Sequence, residues 1–212
     1  MHFLQERPWL EEAPLWLDFA AIPSYRDIPM FSNACPVTRM VCVGGVSKTE
    51  LLEELHTRGI KLNESGIALF ENSRFTTSEV SSILETVETS VADLGYSRGA
   101  TMPQIHQRAV ELGLSLSPLE LGPHLRLQFM DQAEGFRGHP PSQHRAPPGS
   151  ITVASLPLSG DDEVPKGFYL RRIEDVLWLR GYWCDAEHIW SPEDRLVFCR
   201  PPNASGSPDS LG

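Results

Sequence analysis

The sequence predicts an α+β fold in which two repeated strand–turn–helix units pack against a mostly antiparallel C-terminal sheet. Three observations predict it. Residues 46–63 and 100–117 share one pattern: a hydroxyl cap, an amphipathic helix, a glycine stop and an aliphatic–x–Leu exit. A β-branched or alternating stretch precedes each, at 37–43 and 87–92. Beyond residue 125 the helical period gives way to short alternating runs bounded by turn residues.

Residues 1–34 differ from the rest. Pro8, Pro14, Pro23 and Pro29 cut this segment into pieces holding Trp9, Leu10, Trp16, Leu17 and Phe19. Proline removes a donor and disfavours helix just before itself, so one short helix near 9–20 is all that is expected of this N-terminal extension. The first unit spans 35–80. Ser47 stands three residues before Glu50, the spacing at which a cap hydroxyl and a carboxylate satisfy each other's backbone donors. Leu51, Leu52 and Leu55 form an apolar stripe, and Gly59 offers the left-handed backbone that stops a helix.

The second unit opens a domain over 85–200. Met40, Val43 and Gly44 align with Val91, Leu94 and Gly95, after which extra residues around Ser97 to Gly99 lengthen the turn. Thr101 and Gln104 repeat the cap spacing, and Pro103 falls in the first turn, where its missing N–H costs nothing. Ile105, Ala109 and Leu112 form the stripe and Gly113 the stop. Leu125, Leu127 and Phe129 then alternate with Arg126 and Gln128, which predicts a half-buried strand. Four prolines predict a loop at 136–150. Strands are expected at 151–156, 168–173, 176–182 and 195–200. The tail, 201–212, has almost nothing to bury and is expected to be disordered. The expected core comprises Leu51, Leu55, Ile105, Ala109, Leu112, Leu114, Leu125, Leu127, Phe168, Leu170, Leu177 and Leu179.

The chain has 18 basic and 28 acidic residues, a formal net charge of −10. That balance disfavours nonspecific binding to a phosphate backbone, and there is no Lys or Arg run to offset it. A protein or small-molecule partner is therefore expected ahead of nucleic acid. No apolar run approaches the ~20 residues of a membrane helix, and no signal peptide is readable, so a cytoplasmic protein without a membrane partner is expected. Cys35, Cys42, Cys184 and Cys199 lack the paired spacing of a zinc ribbon. No metal and no cofactor are expected.

Three groups of residues can carry chemistry. In the segment 168–182, a two-residue turn at Glu174–Asp175 sets Ile173 opposite Val176, Arg171 opposite Trp178 and Tyr169 opposite Arg180. Alternation then turns Phe168, Leu170, Leu177 and Leu179 to the core. Tyr169, Arg171, Trp178, Arg180 and Tyr182 share the other face, which could stack a base or hold an anion. The second group is Glu120, His124 and Arg126 around the Gly122-Pro123 turn, where acid–base work requires convergence and tuned pKa values. Cys184 and His188 supply at most two metal ligands, and His106, aligned with Leu52, reads as a half-buried packing residue. The third is a helix-turn-helix spacing at Ala109, Gly113, Leu114 and Leu119, with Pro118 opening a second helix; Glu120 and the Gly-Pro break suit DNA poorly.

The stretch Gly99-Ala100-Thr101, Ile105, Arg108-Ala109, Glu111-Leu112-Gly113-Leu114, Leu116, Pro118, Glu120, Gly122-Pro123 and Leu125-Arg126-Leu127-Gln128 resembles a family of uncharacterised bacterial proteins. In that family a β-rich region follows, with counterparts here in Phe168-Tyr169-Leu170-Arg171-Arg172, Leu177-Trp178-Leu179 and Leu196-Val197-Phe198. The resemblance covers roughly residues 87–200 and implies that the second unit and the β region form one domain. It brings no activity and no functional residue.

The preferred expectation is a non-enzymatic interaction or ligand-binding protein of bacterial cytoplasm, using the Arg–aromatic face. The alternatives are a hydrolase or transferase using Glu120, His124 and Arg126, and a helix-turn-helix regulator.

Overall fold

The computed structural model describes residues 36–135 and 146–201. Among these, the chain runs β1 (Val37–Val43), α1 (Lys48–Thr57), β2 (Lys61–Leu62), α2 (Glu64–Glu71), β3 (Ser82–Ser90), β4 (Ala100–Thr101) and α3 (Met102–Glu111). It continues through α4 (Leu121–Gln128), β5 (Ile151–Val153), β6 (Gly167–Ile173), β7 (Val176–Tyr182), β8 (Ile189–Trp190) and β9 (Arg195–Cys199). Seven strands form one mixed sheet in the order β1-β3-β9-β5-β6-β7-β2, and β4 pairs with β8. Four contacts of the large sheet are antiparallel, and β5–β9 and β2–β7 are parallel. The architecture is α+β. The expected extension at 1–34, the loop at 136–145 and all of the tail but Pro201 lie outside the described residues.

The helices start where the cap chemistry places them. Both capping boxes form, Ser47 with Glu50 and Thr101 with Gln104. Gly59 and Gly113 take the left-handed conformation, at φ 69° and 73°. The apolar stripes pack on opposite faces of the sheet, as the period-2 alternation of its strands requires. Val197 and Cys199 of β9 join Leu51, Leu55, Leu125, Phe168 and Leu179 in one cluster. Leu196 and Phe198 join Val87, Ile105, Ala109, Leu112 and Trp190 in the other. Every expected core residue is buried except Leu177, which is half-buried against the first cluster.

Three expectations are corrected. Leu125 to Phe129 is not a strand: α4 occupies Leu121–Gln128 and is buried from Leu121 through Leu127. The alternation misled because the intervening Arg126 is itself fully buried, paired with Gln132 and the Phe129 carbonyl. The strand expected at 87–92 covers Ser82–Ser90 instead. Ser90 Oγ donates to Asp93 Oδ2 at 2.6 Å and accepts the Asp93 N–H at 3.1 Å, a side-chain turn that ends the strand. The sheet also reaches beyond residues 125–200. β3 is buried from Thr86 to Ser90, so its backbone donors and acceptors must be paired along both edges, and it takes β1 and β9. β1 and β2 belong to the same sheet as β6 and β7.

Side-chain amides extend the ladders at both ends of this sheet. At the β1 edge, Gln128 of α4 accepts the Cys42 N–H at 3.0 Å and donates to the Cys42 carbonyl at 2.7 Å, as a neighbouring strand would. At the other end Asn63 accepts the Gly181 N–H at 2.8 Å and donates to the Gly181 carbonyl at 3.0 Å, while also capping α2. Gly181 is required there: a Cβ would lie 2.5 Å from the Ser65 carbonyl carbon.

The β6–β7 hairpin has the expected register, Ile173 with Val176 through Tyr169 with Arg180. Its turn places Glu174 and Asp175 at φ 54° and 59°, where residues with a Cβ are strained. Asp175→Gly is expected to stabilise the protein by about 0.5–1 kcal/mol. The ion pair it removes, Asp175 with Arg172 at 2.9 Å, involves a carboxylate that is 90% exposed and contributes little. A urea midpoint that falls in the glycine variant would contradict this.

Candidate functional site

The group Glu120, His124 and Arg126 does not converge. Glu120 and His124 are four residues apart and share a face of α4, whereas Arg126 points to the opposite side of the helix. Each has structural partners. The Glu120 carboxylate accepts the Ser78 N–H at 2.9 Å and the Ser78 hydroxyl at 2.5 Å. His124 Nε2 accepts the Gly44 N–H at 3.1 Å, which assigns the ring proton to Nδ1. Burial lowers the His124 pKa, and the Glu120 charge partly offsets this. His124 thus pins the turn between β1 and α1, and Glu120 the loop that enters β3. A cleft of about 510 Å³ beside Gly44 and Gly45 is bordered by His124 but by neither Glu120 nor Arg126.

The Arg–aromatic face is assembled as the register predicts, and it is largely covered: Tyr169 and Arg171 are 8% and 9% exposed. The chain's own cations stack on it. The Arg180 guanidinium lies 5.1 Å from the centre of the Trp178 ring and 6.0 Å from that of Tyr169, and Lys61 Nζ lies 5.7 Å from Trp178. Burial raises the Tyr169 pKa against the pull of Arg180 and Arg171.

At the far end of this face the sheet opens into a cleft of about 600 Å³. Tyr169 and Tyr182 of the hairpin line it, joined by Trp183, Cys184, Asp185, His188 and Trp190 from the segment that follows β7, and by Asp162. The pairing of β8 with β4 folds that segment back. Trp190 meets Tyr182 edge-on at 5.6 Å and His188 edge-on at 5.3 Å. Trp183 donates its indole N–H to Ser65 Oγ at 2.7 Å. Burial raises the pKa values of both Tyr182 and Cys184, so the phenol and the thiol hold their protons at neutral pH.

The structure therefore brings Tyr169 and Tyr182 into a cleft and leaves Arg171, Trp178 and Arg180 beside it. Sequence reasoning missed Trp183, Asp185, Trp190 and Asp162. Trp183, Asp185 and Asp162 lie in irregular stretches and Trp190 in a two-residue strand, none with a periodicity to read, and the one signal available was the pair of tryptophans that brackets the run 183–190. Cys184 and His188 do meet in the cleft, but among the described residues no group of three or more His, Cys, Asp or Glu could hold a metal ion. None of the described helices is long and apolar enough to cross a membrane. Comparison of the chain with protein-family models, with curated proteins and with solved structures finds no match, so what can be said of function comes from this geometry.

Proposed function

We propose that the chain is a non-enzymatic ligand-binding protein whose site is the cleft at the end of the β6–β7 hairpin. The observation that carries this reading is the convergence of Tyr169, Tyr182, Trp183 and Trp190 around a space of about 600 Å³, a volume suited to a small organic ligand. Aromatic walls with a few polar groups are the usual lining of such sites. A hydrolytic role for Glu120, His124 and Arg126 has less support, because their polar atoms bind the chain itself. The helix-turn-helix alternative has little, because α4 is buried along seven consecutive residues and offers no face to a groove. Three free cysteines among the described residues fit a reducing, cytoplasmic setting. The same reading retains the resemblance to uncharacterised bacterial proteins and takes the two units as copies of one ancestral element. Both run from a strand through a glycine turn to a boxed helix, although β1 ends beside Gly44 whereas β3 ends well short of Gly95.

Amide NMR of the full chain, titrated with a mixture of cationic, anionic and neutral aromatic small molecules, tests the site. Shifts are expected to cluster at Tyr169, Tyr182 and Trp183. Trp183→Ala, at a side chain more than half exposed, is expected to weaken binding about tenfold without changing the melting temperature. Shifts confined to the Gly44–Gly45 cleft, or no shifts at all, would remove the reading.

A further inference from the structure

We infer that the cleft selects an organic ammonium cation, an assignment that rests on the ligand-binding reading and specifies its chemistry. The first ground is how the hairpin face treats the protein's own charges. Arg180 stacks over Trp178 and Tyr169, and Lys61 over Trp178. Those rings are already served. Among the described residues no Lys or Arg stands over Tyr182, Trp183 or Trp190, although these rings continue the same aromatic surface into the cleft. A ring face attracts a cation through its quadrupole, and most strongly where water is excluded.

The second ground is the charge of the lining. Its carboxylates are Asp162 and Asp185, its one imidazole is His188, and among the described residues it holds no Lys or Arg. Lys166 neutralises Asp162, at 3.1 Å, and also donates to the Asp161 carbonyl. Asp185 accepts the Glu187 N–H at 3.0 Å and forms no ion pair among the described residues. One carboxylate is thus left to face a bound charge, in a protein whose net charge is −10. An anion would meet Asp185 with no Lys or Arg among the described residues of the walls to compensate. A neutral ring would gain stacking but nothing from Asp185. A cation gains from both the rings and the carboxylate.

Isothermal titration of the full chain with choline, and with its neutral analogue in which carbon replaces the ammonium nitrogen, separates charge from shape. Saturable choline binding is expected, about tenfold tighter than that of the analogue. Asp185→Asn should lower choline binding several-fold and leave the analogue unchanged, a difference that loss of folding would not produce. Equal binding of the two probes, or tighter binding of inorganic phosphate, overturns the cation assignment and leaves the ligand cleft standing. If no probe binds while the mixture of small molecules still shifts Tyr182 and Trp183, the assignment also falls alone. If that mixture is silent too, both fall.

Discussion

Arg126→Ala is expected to lower the unfolding free energy by about 3–5 kcal/mol, the largest loss from any single truncation considered. Among the described residues Arg126 is the largest of the fully buried side chains, at 0% exposure, and no carboxylate there is bonded to it. Its guanidinium donates to Gln132 Oε1 at 2.5 Å and to the Phe129 carbonyl, and lies 5.8 Å from the centre of the Phe129 ring. Burial and the nearby Arg172 charge push its pKa down to about 10, against a weaker opposing pull from Asp131. The group thus remains charged at neutral pH and is stabilised chiefly by oriented neutral dipoles.

Those dipoles belong to a wider tie. Gln132 Nε2 donates to the Gly149 carbonyl at 3.0 Å and to the Leu170 carbonyl at 3.3 Å, so Arg126 holds the amide that joins α4 to β6 and to the chain entering β5. Alanine would leave a cavity, an orphaned carbonyl and an unanchored Gln132 together. Arg126→Met fills most of the space but leaves the acceptors unpaired, so it should recover about half of the loss. Urea unfolding of the three proteins decides this. A methionine variant as unstable as the alanine variant would mean that volume contributes nothing, and a near-neutral alanine variant would sink the account.

Legibility followed the range of the interaction. The hairpin register was readable because a two-residue turn and a period of two leave one pairing that buries Phe168, Leu170 and Leu179 together. The caps and stops of α1 and α3 were readable because each is decided within four residues. The β3–β9 pairing was not, because it joins Thr86 to Cys199 and nothing local in either strand names the partner. α4 defeated the period test for a different reason. A helix buried on all sides has no polar face to mark its turn, and its polar residues serve as internal partners: His124 to Gly44, Gln128 to Cys42 and Arg126 to Gln132. The candidate cleft was half legible. Tyr169 and Tyr182 came from the alternation of the hairpin, whereas Trp190 reaches the cleft through a two-residue ladder, β8 on β4, that carries no pattern.

His106→Leu is expected to remove much of the acid sensitivity of this fold. His106 lies on α3 beside the second core cluster, and its Nε2 has no hydrogen-bond partner among the described residues. Burial pushes its pKa from 6.5 down to about 4. The unfolded chain therefore binds a proton between these values that the folded chain refuses, and stability falls as pH drops from about 6.5 to about 4, then levels off. The loss amounts to about 3 kcal/mol once the folded state is protonated as well, below the folded pKa. Leucine keeps the apolar contact and carries no proton. The stability gap between variant and parent should widen by about 2–3 kcal/mol from pH 7 to pH 4.5. The carboxylates common to both proteins cancel in that difference, so parallel pH profiles would refute the assignment. The consequence is also local. Trp190 sits in the same cluster as Ile105 and Ala109, so protonation of His106 loosens the layer that supports one wall of the cleft. Amide exchange in α3 should accelerate on acidification before that in α4, which packs on the opposite face of the sheet with Leu121 and Leu125.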